Sequence, residues 1–202
     1  LRGEISNARH LTDKTFIQKK FNETNGTLTG EERKQVLAQL MQAVRDDPRF
    51  EHYPTPSHVI DGLIDFVNLE KGQYVLEPSA GEGYIADAIR ARFGKTVQIK
   101  CVEFDRDLAL VLRLKGYDVY HGKFEDYARF HAKTGKKRFD AVVMNPPFSG
   151  GLDRAHVTLA YADMLKAGGR LAAITSANSI DGGEAEAYEF KDFIEQNGDY
   201  RL

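Results

Sequence analysis

The chain has 202 residues, 42% hydrophobic and 29% charged, the size and composition of one globular domain able to bury a full core. A formal net charge of −2 argues against a protein that coats nucleic acid indiscriminately, while leaving room for a local basic face. A single cysteine excludes a disulfide framework, no apolar run approaches a membrane span, and no signal peptide is visible, so a cytoplasmic location is expected.

The chain begins at Leu1 rather than Met and stops at Tyr200-Arg201-Leu202, so we expect a piece of a longer protein. Residues 1–50 read as a helical amino-terminal extension. Within it, Thr29-Gly30-Glu31-Glu32 opens a helix whose residues Val36, Leu37, Leu40, Met41 and Val44 form an apolar stripe suited to packing on the domain. Arg2, Arg9, Lys14, Lys19 and Lys20 make the first twenty residues basic, as a solvated face or a phosphate-contacting arm. Tyr53-Pro54-Thr55-Pro56 marks the change into the unit spanning 51–202. Thr55 suits a helix N-cap and Pro56 a first helical turn, ahead of the apolar face Val59, Ile60, Leu63, Ile64 and Val67.

From Gln73 strand and helix alternate. Strands are predicted over 74–76, 97–104, 117–120, 139–144 and 171–175. Helices are predicted over 85–93, 108–114, a stretch to about 130, 155–165 and 187–195. This alternation implies an α/β fold, a Rossmann-like doubly wound and mainly parallel sheet with helices on both faces. Cys101 falls inside the second strand and reads as core.

The fourth strand ends in Asn145-Pro146-Pro147-Phe148. The prolines supply no N–H and hold the residue before them extended, so Asn145 becomes a polar group on a rigid corner at a strand's carboxyl end. Open α/β sheets bind their ligands there. A planar amide, two carbonyls without competing N–H neighbours and an aromatic ring suit an amino group on a flat ring. Taken alone, the same four residues also describe a strand running into a proline turn.

Glu77-Pro78-Ser79-Ala80-Gly81-Glu82-Gly83 follows the first strand and opens a helix, and its glycines allow a tight turn and close approach of a ligand. Glu103 ends the second strand, where a carboxylate can accept both hydroxyls of a ribose. Gly81-x-Gly83-x-x-Ala86 also fits a dinucleotide fingerprint, so a nicotinamide cofactor stays open at this point. The carboxylate of Glu77 weighs against it, because it would repel a pyrophosphate and suit the cationic sulfonium and amine of S-adenosylmethionine.

Together these segments resemble the class I S-adenosylmethionine-dependent amino-methyltransferases, and in their order the gamma-type DNA adenine-N6 methyltransferases. Those enzymes carry Thr-Pro, Glu-Pro-x-x-Gly-x-Gly, an acidic strand end and Asn-Pro-Pro-Tyr/Phe. Here the matching residues are Thr55-Pro56, Glu77 to Gly83, Glu103 and Asn145 to Phe148, and the likeness covers roughly residues 53–176. The resemblance implies a catalytic corner of Asn145, Pro146, Pro147 and Phe148. It implies that Glu77, Ala80, Gly81 and Gly83 line the methionine end of S-adenosylmethionine, with Tyr53 and Thr55 closing over it and Pro78 and Asn145 also in the cofactor site. Glu103 would hold the ribose, and Phe104 and Phe124 would flank the adenine. The implied substrate is a flipped-out adenine in DNA, or in RNA as the near alternative. A restriction-modification setting of phage or mobile-element type and a separate target-recognition region or subunit are also implied, with no membrane.

Two departures from the family pattern stand out. Gly122-Lys123-Phe124-Glu125 occupies the place of a Gly-Asp-Phe whose Asp accepts the cofactor's adenine amine, so Glu125 or Asp126 substitutes or affinity is reduced. Nothing after Asn197 supplies the family's final antiparallel strands, so these are expected to be lacking. The other readings are the same chemistry on a protein glutamine amide, and a catalytically silent binding or anti-restriction module. A nicotinamide dehydrogenase would leave Asn145 to Phe148 unexplained. Arg129, His131, Lys133, Lys136, Lys137 and Arg138 form a basic run, read as a solvated loop at the amino edge of the sheet. Ser149 to His156 follows the corner as a glycine-containing loop in which Arg154 or His156 is positioned to meet phosphate. No metal site is expected, since His156 has no partner at ligand spacing.

Overall fold

The structure, a computed structural model, describes residues 15, 17–19, 21–22, 28–48, 55–134 and 138–201. Helix α1 (Gly30–Arg45) starts with a capping box, Thr29 accepting from Glu32 N–H while the Glu32 side chain accepts from Thr29 N–H. Then follow α2 (Ser57–Val67), β1 (Tyr74–Glu77), α3 (Tyr84–Phe93), β2 (Gln98–Glu103), α4 (Arg106–Lys115) and β3 (Asp118–His121). The second half comprises α5 (Phe124–Thr134), β4 (Phe139–Met144), a 3-10 turn at Ser149–Gly151, α6 (Leu152–Leu159), a π-turn at Ala160–Met164, β5 (Leu165–Ala173), α7 (Ala177–Asp181) and α8 (Ala185–Asn197).

The five strands are all parallel, in the order β3-β2-β1-β4-β5. This is the Rossmann-like doubly wound sheet that the alternation predicts. The chain steps outward from β1 to β3, then returns to place β4 on the other side of β1. The switch point therefore lies between β1 and β4, and its crevice opens at their carboxyl ends.

Strand side chains alternate between two cores. Val75, Ile99, Cys101, Ala141 and Val143 pack under α2 and α3, against Ile60, Ile64, Ile85 and Ile89. Leu76, Val102, Val142 and Met144 pack on the opposite face, against Phe124, Tyr127, Val157 and Phe190. A period of two then puts Glu77, Glu103 and Asn145 all on the α2/α3 face, at adjoining strand ends. Sequence parity thus gathers three polar side chains at one mouth.

The stripe of α1 packs on α4, with Leu40 and Val44 against Leu110, Val111 and Leu114. Truncating fully buried Leu40 to alanine would cost about 2–5 kcal/mol, the usual range for such a cavity.

Two expectations need correction. The predicted helix over 155–165 starts earlier, at Leu152, and gives way to the π-turn, after which Leu165 already belongs to β5 by pairing with Phe139. The register between β4 and β5 is irregular, jumping from Phe139↔Leu165 to Ala141↔Arg170, and Gly168 (φ +76) sits in the excess loop. Finally, Thr55 is not the N-cap of α2. That place falls to Pro56, and no side chain caps the helix. A side-chain cap is worth about 1 kcal/mol, and the Thr55 hydroxyl is used elsewhere.

Among the described residues the sheet ends at β5. Its outer edge borders an open groove of about 1000 Å³, between Leu63 and Phe66 of α2 and Phe190 and Phe193 of α8.

Candidate active site

The loop from β1 to α3 is held by backbone bonds. Ala80 N–H donates to Val102 O at 3.0 Å and Gly83 N–H to Ala80 O at 2.7 Å, tying the loop to β2 and to itself. The two glycines serve different needs. At Gly83 (φ +87) a Cβ would lie 2.6 Å from Leu112 Cδ2, so only glycine lets α3 start this close to α4. At Gly81 (φ +54) a Cβ would meet nothing within 4 Å, so this glycine keeps open space clear rather than relieving a clash.

Glu103 is buried at the end of β2. Its Oε2 accepts from Gly81 N–H and its Oε1 from Asp105 N–H, both at 2.7 Å. Burial pushes its pKa up, opposed by the Asp105 and Gly81 N–H groups. Each oxygen keeps a second lone pair, so the carboxylate can still accept from a diol. Asp105 in turn caps α4, accepting from Asp107 and Leu108 N–H.

Glu77 is 1% exposed, with Oε2 lacking any partner among the described residues. Burial drives its pKa well above the usual carboxylate range. The Ala86 N–H in the first turn of α3 opposes this, Asp87 and Glu103 add to it, and Lys115 works against it. The Ala86 N–H thus donates to Glu77 at a helix start that Gly83 leaves without a side-chain cap. A network beneath the loop braces it. Lys115 Nζ donates to Glu82 O at 2.7 Å and to Asp87 at 2.6 Å, and Tyr117 OH donates to Asp87 at 2.7 Å.

Asn145 stands one residue past β4. Its Nδ2 donates to Thr55 Oγ1 at 2.9 Å, bridging β4 to the start of α2. Its Oδ1 is buried with no partner among the described residues. Pro146 is buried, Pro147 is exposed, and the Phe148 ring is 47% exposed at the mouth. A free amide oxygen beside an exposed ring is an arrangement ready to accept from, and stack on, a planar amino compound.

The remaining predicted residues are placed as follows. Pro78 and Ala80 are buried in the loop. Phe104 presents an exposed ring beyond Glu103, with Lys123 Nζ 5.9 Å from its centroid. Phe124 is only 3% exposed and packs edge-on against His156 at 5.3 Å, so the ring offered to solvent at this end is Phe104. Tyr53 lies outside the described residues.

Both candidate replacements for the family's Asp already have partners. Glu125 Oε1 lies 3.2 Å from His156 Nε2, and Asp126 pairs with Arg129 at 2.8 Å. Burial works to raise the Glu125 pKa, but its own backbone N–H, His156 and Lys123 outweigh it and hold the carboxyl below its ordinary range. His156 is buried and occupied by this contact, so it does not face outward to meet a phosphate. Arg154 points toward Glu184, at 3.6 Å. The basic run sits at the amino end of β4, opposite Asn145, where Arg138 donates to Leu165 O at 3.3 Å; Lys136 and Lys137 lie outside the described residues. No cluster of metal-ligating side chains occurs among the described residues. None of their helices is long and apolar enough to cross a membrane.

One buried residue has no signal in the sequence. Asp153 Oδ2 accepts from Ser176 N–H at 2.9 Å and from the Ser179 hydroxyl at 2.6 Å. It ties the segment after the Asn145 corner to the turn after β5. Its partners lie more than twenty residues away, beyond the reach of any local pattern.

Solved structures with the same fold include a modification subunit of a putative type I restriction enzyme from Vibrio vulnificus. It is 17% identical with a TM-score of 0.58, and the match covers 83% of this chain and 44% of that one. The methyltransferase subunit of a type I restriction-modification system from Streptococcus thermophilus is also 17% identical with a TM-score of 0.58, over 80% of this chain and 42% of that one. A putative RNA methyltransferase from Pyrococcus horikoshii is 23% identical with a TM-score of 0.52, over 75% and 74%. The chain thus spans less than half the length of the two restriction-system subunits. Among curated proteins, none matches the sequence. The model of the methyltransferase small domain matches residues 61–190, which run from α2 through the glycine loop and the Asn145 corner into α8, and the chain belongs to that family.

Proposed function

We propose that this chain transfers a methyl group from S-adenosylmethionine to the exocyclic N6 of an adenine turned out of a DNA duplex. The observation that carries the acceptor class is Asn145 Oδ1, a buried hydrogen-bond acceptor without a partner among the described residues, near the exposed Phe148 ring.

The residues present fit S-adenosylmethionine. Glu77 offers a buried, partly unpaired carboxylate for a cationic amine or sulfonium. Gly81 keeps the loop open above it, Glu103 offers acceptors for a ribose, and Phe104 offers a flat face for an adenine. When bound, this cofactor supplies an electrophilic methyl group on a positively charged sulfur.

The chain's own groups act on the acceptor. Asn145 Oδ1 and the Pro146 carbonyl accept the two amino hydrogens, drawing the nitrogen lone pair out of the ring's conjugation. Phe148 stacks on the ring and fixes its plane. The amino nitrogen sheds its proton only once alkylated, when that proton is acidic, so no strong base is needed. Positioning and fixed dipoles supply most of the rate. Turning the base out of the stack costs a few kcal/mol, which stacking on Phe148 offsets in part. Target recognition by a separate region or subunit belongs to the same proposal.

The test is transfer from methyl-labelled S-adenosylmethionine to DNA, RNA and protein offered together, followed by digestion of the labelled product. Label in N6-methyldeoxyadenosine supports the reading. Label in N6-methyladenosine moves the substrate to RNA, and label in methylglutamine moves it to protein. Cofactor binding without label points to a missing recognition partner, and a folded chain that binds no cofactor sinks the enzyme reading.

A further inference from the structure

We infer that Thr55 is a positioning residue for Asn145, holding its side-chain amide in place at the corner, rather than a residue that grips the cofactor. The inference rests on the proposed amino-methyl transfer for its meaning, but its physical core is independent of it.

Rotation about the last bond of an asparagine side chain is broad and roughly two-fold, so an unheld amide samples both faces. One face offers the oxygen, which accepts from an amino group. The other offers the NH2, which meets an amino group donor to donor. In the structure Nδ2 donates to Thr55 Oγ1 at 2.9 Å, and Oδ1 is the atom left buried without a partner among the described residues.

Three observations make Thr55 suited to this task. It precedes Pro56, which holds it extended. It stands at the entry to α2, whose Ile60, Ile64 and Val67 are buried in the core, so the hydroxyl is mounted on a rigid element. And the hydroxyl lies beside a helix start that no side chain caps, yet it bonds across 90 residues of sequence to Asn145. A threonine placed merely to start a helix would spend its oxygen on the first turn.

The experiment uses protein labelled with nitrogen-15 at asparagine. The Asn145 side-chain amide signal is identified by its loss in Asn145→Asp. Its exchange with solvent is then compared in the wild type, Thr55→Val and Thr55→Ser, beside steady-state transfer to adenine-containing mixed-sequence duplex DNA. Exchange should quicken by at least about tenfold in Thr55→Val, which removes the hydroxyl and keeps the shape. The kcat should fall about tenfold while the KM for S-adenosylmethionine stays within about threefold, and Thr55→Ser should restore both. Unchanged amide exchange in Thr55→Val overturns the inference, as does a raised KM for S-adenosylmethionine at unchanged kcat, which would make Thr55 a cofactor contact. If the wild type transfers no methyl group to DNA, the substrate reading fails separately, and amide exchange alone decides the role of Thr55.

Discussion

At the carboxyl end of β2 both oxygens of Glu103 are engaged by backbone N–H groups at 2.7 Å. Across the switch point, at the ends of β1 and β4, Glu77 Oε2 and Asn145 Oδ1 are buried with no partner among the described residues. The two sides lie on one face of one sheet and differ in how completely their polar groups are satisfied. A buried acceptor left unpaired costs about 1–3 kcal/mol, so a fold keeps one only where something else will supply the donor. On the Glu103 side the carboxylate already shapes the loop while keeping a lone pair on each oxygen for a further donor. On the Glu77–Asn145 side, the unpaired oxygens are the acceptors that the proposed ligands would engage.

The largest effect expected from this difference is at the unsatisfied corner. Asn145→Ala should lower kcat by about 10²–10³-fold, the usual loss when one fixed dipole is removed from a reacting centre. Affinity for S-adenosylmethionine, read by calorimetry, should change little. An active Asn145→Ala variant would sink the mechanism. Glu103→Ala should behave in the opposite way. It strands the Gly81 and Asp105 N–H groups, so it should destabilise the free protein by about 1–3 kcal/mol in denaturant titrations and weaken cofactor binding. Unchanged cofactor affinity in that variant would remove Glu103 from the site.

The sequence makes local features more legible than contacts between distant elements. β4 is legible at its true limits because Phe139 to Met144 is an apolar run, interrupted only by Asp140 and closed by prolines. The glycine loop was legible because positive φ at Gly81 and Gly83 leaves a residue-type mark. Leu165 reads as helix in the sequence because its place in β5 depends on pairing with Phe139 across an irregular register, which no local period records. Thr55 reads as a cap because a threonine before Pro-Ser looks like one, while its partner lies past the end of β4. Glu125 and His156, and Asp153 with Ser176 and Ser179, meet only through the packing of α5, α6 and the turn after β5. Local chemistry writes itself into neighbouring residues, while long-range polar pairing does not.

Glu77 carries the subtlest expected effect, and pH reveals it. Its carboxyl holds a proton more tightly in the folded chain than in the unfolded one, chiefly because it is buried. The folded state therefore has its full advantage while the group is protonated in both states. It loses that advantage as pH rises from the ordinary carboxylate range, about 4.3, through the raised folded value. Glu77→Gln cannot titrate, so its Tm relative to the wild type should climb across that window and level off above it. Groups that titrate alike in both proteins cancel from the difference. The same substitution should weaken binding of S-adenosylmethionine. In the wild type, a cation drawn to Glu77 favours its ionised form, so binding should release protons and tighten as pH rises. Calorimetry in buffers of different ionisation enthalpy measures that release. Binding with no proton release, at a pH below the raised value, would mean that the cationic end of the cofactor does not lie against Glu77.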